Sequence, residues 1–111
     1  MKYQSTRNRA LTASPAQAVL AGIAPDGGLY MPESIPVLDW QSLLNADTLT
    51  LSARILSALL PDYPDMDSLV RRGYAGKFET EELTPLVKVG SRYVLELFRG
   101  PTSAFKDVAL S

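Results

Sequence analysis

The stretch PLVKVGSRYVLELFRGPTSAFKD, residues 85–107, changes the character of the chain. Val87 and Val89 alternate, Gly90 and Ser91 read as a turn, and residues 93–98 are nearly all apolar except Glu96. The pattern predicts two strands joined at Gly90 and Ser91. A strand as apolar as the second is usually buried on both faces, as in a parallel sheet. The rest of the chain offers no sheet large enough to bury it. A Gly-Pro-Thr turn follows, and a helix starting near Thr102 or Ser103 would carry Lys106 in its first turn.

Upstream of Pro85 the signals are for short helices and short strands. Residues 2–6 (KYQST) read as a strand. Ser14, Pro15 and Gln17 form a helix start with a capping box, and Gly22 is placed to end that helix. Asp26, Gly27 and Gly28 make a turn before a short strand at Leu29, Tyr30 and Met31, bounded by Pro32. Asp39 can cap a short helix. The strongest helix is TLTLSARILSALL, with Leu51, Ile55, Leu56 and Leu59 as its apolar face and Pro61 as its stop. Asp67 caps a further short helix after a proline-rich loop. The reading gives an α+β or α/β chain in two parts: residues 1–84, a small domain of short helices and strands, and residues 85–111, a strand-rich segment leading into the lysine helix.

The bulk composition excludes several function classes. The chain has 111 residues, 46% apolar, and a formal charge of -1 from 11 basic and 12 acidic side chains. That balance argues against nucleic acid and anionic membrane surfaces as partners. No apolar run approaches the ~20 residues that span a bilayer, and the amino-terminal residues lack the apolar stretch of a secretory signal. A cytoplasmic location is the expectation. The absence of Cys and His removes disulfides, thiolate nucleophiles, Ser-His-Asp catalysis and zinc sites built on those residues. Acid–base chemistry must use Lys, Asp, Glu or Tyr.

Four clusters could carry chemistry. Asp62, Asp65 and Asp67 lack the spacing of an EF-hand, so a polar turn with a helix cap is the better reading and no metal site is predicted. Residues 5–9 (STRNR) put hydroxyls beside two arginines. Such a group could hold a phosphate or carboxylate, or could be a solvated strand end. Asp26, Gly27 and Gly28 lack the Lys-Ser/Thr pair of a phosphate loop, which favours a plain turn. Lys106 is either a solvated surface residue or a reactive amine. At an ordinary pKa of about 10.4 very little lysine is neutral at pH 7, so reactivity requires desolvation or the positive end of a helix. Phe105 could supply a dry wall for an aromatic ring, and Thr102 and Ser103 offer hydroxyls beside it.

The octet GPTSAFKD closely resembles the lysine segment of threonine synthases. STRN, DGGLYMPESIP and PLVKVGSRYVLELF occur in the order that family shows, so the resemblance covers essentially the whole chain. It implies an amino-terminal domain followed by the first strand and lysine helix of a pyridoxal-phosphate domain of the tryptophan-synthase-β-like fold. In that family the motif's lysine, here Lys106, forms a Schiff base with pyridoxal 5′-phosphate, and the neighbouring aromatic is Phe105. The family converts O-phosphohomoserine and water to threonine and phosphate. The resemblance implies Lys106 as catalytic and cofactor-binding residue and Phe105 beside the cofactor; its carry-over stops there. Thr6, Arg7 and Ser103 are the candidates toward the substrate, an anion site near residues 5–7 suiting its phosphate. Lys106 would also move protons between substrate carbons once released from the cofactor. Two positions depart from the family pattern: Asn8 stands where Gly is common, and Arg99 where His is usual. A role belonging to that His does not transfer. Asn tolerates left-handed backbone angles, so the turn at position 8 is expected to survive.

Enzymes of this family are several times longer, and their cofactor-phosphate loop lies downstream. The resemblance therefore implies a fragment without turnover of its own, whose partners are O-phosphohomoserine and the carboxy-terminal part of the same chain. The apolar strand at residues 93–98 would be exposed in such a fragment and open to self-association. The competing class is a non-catalytic binding or regulatory module in which Lys106 is merely surface. Within the enzyme class, another phosphorylated amino acid as substrate stays open.

Overall fold

Ser14 opens the first helix as the sequence predicts. Its hydroxyl accepts from the Gln17 amide while the Gln17 side chain accepts from the Ser14 amide, so two orphan donors are satisfied. A computed structural model describes residues 1–110; Ser111, the last residue of the expected second part, lies outside the described residues. The elements are β1 (Tyr3–Ser5), β2 (Thr12–Ala13), α1 (Pro15–Ala21), β3 (Tyr30–Pro32), α2 (Trp40–Leu43), α3 (Thr48–Leu59), α4 (Met66–Tyr74), β4 (Leu86–Val89), β5 (Arg92–Leu95) and α5 (Asp107–Leu110). The architecture is mixed α+β.

β1 is the centre of a small antiparallel sheet ordered β2-β1-β3, with Tyr3 opposite Ala13 and Ser5 opposite Tyr30. Pro32 lies inside β3 rather than bounding it. It tolerates that place because β3 is an edge strand. Two long-range bonds tie this sheet region to the helices: the Tyr3 hydroxyl donates to the Leu59 carbonyl, and the Ala16 amide donates to Asp62.

The main apolar core lies between α3 and α4. Ala53, Met66 and Val70 are buried there, with Leu49, Leu56, Leu60, Tyr63 and Tyr74 packed around them. The core face of α3 is therefore 49, 53, 56 and 60, rotated from the expected face. Leu51 and Ile55 are exposed. The rotation brings small Ala53 against α4, where close approach of the two helices is possible. Asp65 caps α4, accepting from the Ser68 amide; Asp67, expected as the cap, sits in the first turn and pairs with Arg71 at 2.8 Å.

β4 and β5 form a two-stranded antiparallel hairpin in the register Leu86 to Leu95 and Val89 to Arg92. It is not a doubly buried parallel strand: every residue of both strands is exposed. The Cα radius of gyration is 16.6 Å, against about 13 Å for a compact chain of this length. The molecule is drawn out, and much apolar surface finds no cover within it. Among the described residues no helix is long and apolar enough to cross a membrane.

Candidate functional site

Lys106 stands at the end of a tight loop that follows the hairpin. The expected helix around it starts later: α5 begins at Asp107, and the Lys106 carbonyl accepts from the amides of Ala109 and Leu110. What precedes Lys106 is an ordered turn. The Ser103 amide donates to the Gly100 carbonyl at 3.1 Å, and Ser103 adopts a left-handed φ of 57°. The pin of this turn is Asp107, only 3% exposed. Its carboxylate accepts from the Thr102 amide and from the Thr102 hydroxyl, each at 2.7 Å. The Thr102 hydroxyl is the main cause that holds the Asp107 carboxyl below its ordinary pKa, with burial opposing it.

Gly100 is required by that close approach. A Cβ there would lie 2.5 Å from the Asp107 Cβ and 2.7 Å from a carboxylate oxygen. From the other side, the Tyr74 hydroxyl donates to the Val108 carbonyl, fastening α5 to α4. The Glu79 amide donates to the Arg99 carbonyl, and the Arg99 guanidinium pairs with Glu79 at 3.0 Å and Glu96 at 2.7 Å. Arg99 is thus engaged by two carboxylates rather than turned toward Lys106's role.

Within this frame the side chains of Phe105 and Lys106 are exposed, Phe105 by 74%. Ser103 is exposed as well. Among the described residues Lys106 makes no ion pair. A desolvated amine, the sequence expectation, is not provided by residues 1–110. An exposed primary amine without an ion-pair partner among the described residues, next in sequence to an exposed phenyl ring, is chemically able to take the aldehyde carbon of a pyridoxal group.

The second cluster joins two segments that the sequence shows separately, STRN and DGG. Ser5 is 1% exposed, and its hydroxyl donates to the Asp26 carboxylate, with its oxygen 2.7 and 2.8 Å from the two carboxylate oxygens. The Gly28 amide donates to Asp26, and the Arg7 amide donates to the Ser5 hydroxyl. These bonds, the Ser5 hydroxyl first, hold the Asp26 carboxyl below its ordinary pKa. Thr6 and Arg7 are turned to the same task. The Thr6 hydroxyl accepts from the Leu29 amide, and an Arg7 guanidinium nitrogen donates to the Asp26 carbonyl at 3.0 Å. The two clusters share no hydrogen bond among the described residues, so Thr6 and Arg7 are not brought onto Lys106 by direct bonding. No group of three or more carboxylates is placed to hold a metal ion among the described residues.

Sequence reasoning quoted Asp107 only as a neighbour of Lys106, and missed Gly100 and Asp26 as structural pins. The available signal was a threonine five residues before a buried aspartate; it names a bond only once the turn is known.

Residues 2–89 match the protein family described as "Threonine synthase N terminus". The chain is 41% identical to threonine synthase of Saccharomyces cerevisiae over 97% of its own length and 24% of that protein's. It is 37% identical to threonine synthase-like 2 of Mus musculus, over 100% of this chain and 24% of that protein. A crystal structure of PLP-bound threonine synthase from Brucella melitensis superposes with a TM-score of 0.86 at 38% identity, covering 97% of this chain and 25% of that one. The chain thus spans about a quarter of the length of the curated relatives it matches.

Proposed function

Because the chain belongs to the threonine synthase amino-terminal family, we propose that it is the amino-terminal portion of a pyridoxal-phosphate-dependent lyase. The reaction is conversion of O-phosphohomoserine and water to threonine and phosphate, with the cytoplasm as its compartment. The observation that carries this reading is the pinned loop on which Lys106, without an ion pair among the described residues, and its neighbour Phe105 are both exposed, in a chain whose relatives are threonine synthases.

Bound at that amine, pyridoxal phosphate supplies an electron sink for charge developing on the substrate carbons beside the amino group. The residues of this chain do the rest of what is assigned here. Lys106 would hold the aldehyde carbon, and its freed amine would accept and return a proton at Nζ. Phe105 would offer the ring an apolar face. Ser103, left-handed and exposed, offers a hydroxyl on the same loop. Thr6 and Arg7 contribute indirectly, since their bonds lock the turn at 26–29; the guanidinium nitrogen of Arg7 that does not contact Asp26 remains the candidate for the substrate phosphate. The dry surroundings such chemistry needs come, in this reading, from the remaining three quarters of the relatives' length. In this reading residues 1–84 are the amino-terminal unit, and residues 85–111 begin the cofactor unit.

The complete polypeptide, supplied with pyridoxal phosphate, should release phosphate from O-phosphohomoserine and form threonine in equal amount. Release from another phosphorylated amino acid alone would change the substrate, and a colourless, inactive protein would favour a binding module. The 111-residue chain by itself should show no turnover. Its exposed hairpin should make it self-associate. Light scattering across a concentration series is expected to show mass rising above the monomer; a constant monomer mass contradicts that.

A further inference from the structure

We propose that Asp107 is a positioning residue for Lys106: its buried carboxylate, tied to Thr102 and seated against Gly100, fixes the lysine-bearing loop in its presenting shape before any cofactor arrives. This rests on the reading of Lys106 given above. Three observations meet at Asp107. It is 3% exposed although every other residue from 100 to 107 except Gly100 and Ala104 is exposed. Both its carboxylate oxygens are used, one by the Thr102 amide and one by the Thr102 hydroxyl, at 2.7 Å each. Gly100 leaves the space the carboxylate fills, since any Cβ there would collide with it.

The consequence for Lys106 is geometric. Thr102 and Asp107 close a ring of six residues around Ser103, Ala104, Phe105 and Lys106. With the ends fixed, the exposed side chains of Phe105 and Lys106 are both carried on one ordered loop. The Ala104 carbonyl, accepting from the Asp107 amide, holds the same ring from inside. Beyond it, the Tyr74 bond to Val108 anchors the ring to α4. A loop ordered in advance spares the cofactor the entropy of ordering it, which strengthens attachment without a direct contact.

The test compares wild type, Asp107→Ala, Asp107→Asn and Thr102→Val in the complete polypeptide. Two quantities are read: hydrogen exchange of the Thr102 amide without cofactor, and the fraction of Lys106 carrying a pyridoxyl group after pyridoxal phosphate and borohydride. Asp107→Ala should speed Thr102 exchange roughly tenfold or more, the consequence of losing a buried charge-assisted acceptor, and lower the labelled fraction at sub-saturating cofactor. Asp107→Asn should restore both, because its amide oxygen accepts from the Thr102 amide and its amide nitrogen donates to the hydroxyl. Thr102→Val keeps the amide bond and should fall between them, which covers the case in which Asp107→Ala does not fold. Unchanged Thr102 exchange in Asp107→Ala, or Asp107→Asn as impaired as Asp107→Ala, overturns the proposal. Wild type that exchanges slowly yet takes up no label at Lys106 overturns the cofactor reading instead, while the exchange contrast still decides the role of Asp107 in the loop.

Discussion

Gly28→Ala is expected to cost about 2–4 kcal/mol of stability, the upper part of the range for overpacking with loss of hydrogen bonds. The added Cβ would stand 2.2 Å from the Ser5 hydroxyl oxygen and 3.1 Å from the Arg7 amide nitrogen. Neither neighbour can yield cheaply. Ser5 is buried, and its hydroxyl holds Asp26 while accepting from Arg7. Moving it breaks the joint between β1 and the turn before β3. At about 4–8 °C per kcal/mol for a domain of this size, the melting midpoint should fall by roughly 8–32 °C. Pairing the change with Ser5→Gly removes the clash but not the lost bonds. The double variant should therefore be less damaged than the sum of the singles. Thermal unfolding followed by circular dichroism checks both; an unchanged midpoint in Gly28→Ala would show that the turn is not locked in this way.

Lys106→Ala should abolish cofactor attachment and reduce phosphate release on the order of 10³-fold or more, because both the covalent anchor and the proton carrier are lost. Lys106→Arg should fail as completely. A guanidinium stays charged at any usable pH and cannot serve as the nucleophilic amine. The fold should survive either change, since the exposed Lys106 side chain makes no ion pair among the described residues. Absorbance of the cofactor-loaded protein, phosphate release and the melting midpoint separate the outcomes. Loss of activity with equal loss of stability would point to a structural lysine.

These expectations draw unequally on sequence and structure. The capping box at Ser14 and Gln17, the strand at Tyr3 and the turn at Gly90 are local, each decided by residues within a few positions, and all were legible. The motif around Lys106 was legible through its resemblance. Two features were not, for a common reason. The core face of α3 depends on which neighbour arrives, and small Ala53 gives no apolar signal of its own. The lock between Ser5 and Asp26 joins residues 21 apart, each of which alone reads as an ordinary turn residue. The late start of α5 has the same origin. Propensity allows a helix from Thr102, but the Asp107 carboxylate captures the Thr102 amide and holds the segment as a turn. The cap of α4 was misplaced by two positions because Asp65 and Asp67 are equally good caps on paper.

The exposed β4–β5 hairpin and the exposed Lys106 loop lie in the same last third of the chain, and the molecule as a whole is elongated.

The most direct measurement is the position of the cofactor. The complete polypeptide is incubated with pyridoxal 5′-phosphate, reduced with borohydride, digested and weighed peptide by peptide. A pyridoxyl group on the peptide that contains Lys106, and on no other, is the predicted result. Label confined to other lysines such as Lys2, Lys77 or Lys88, or no stable label at all, would contradict it.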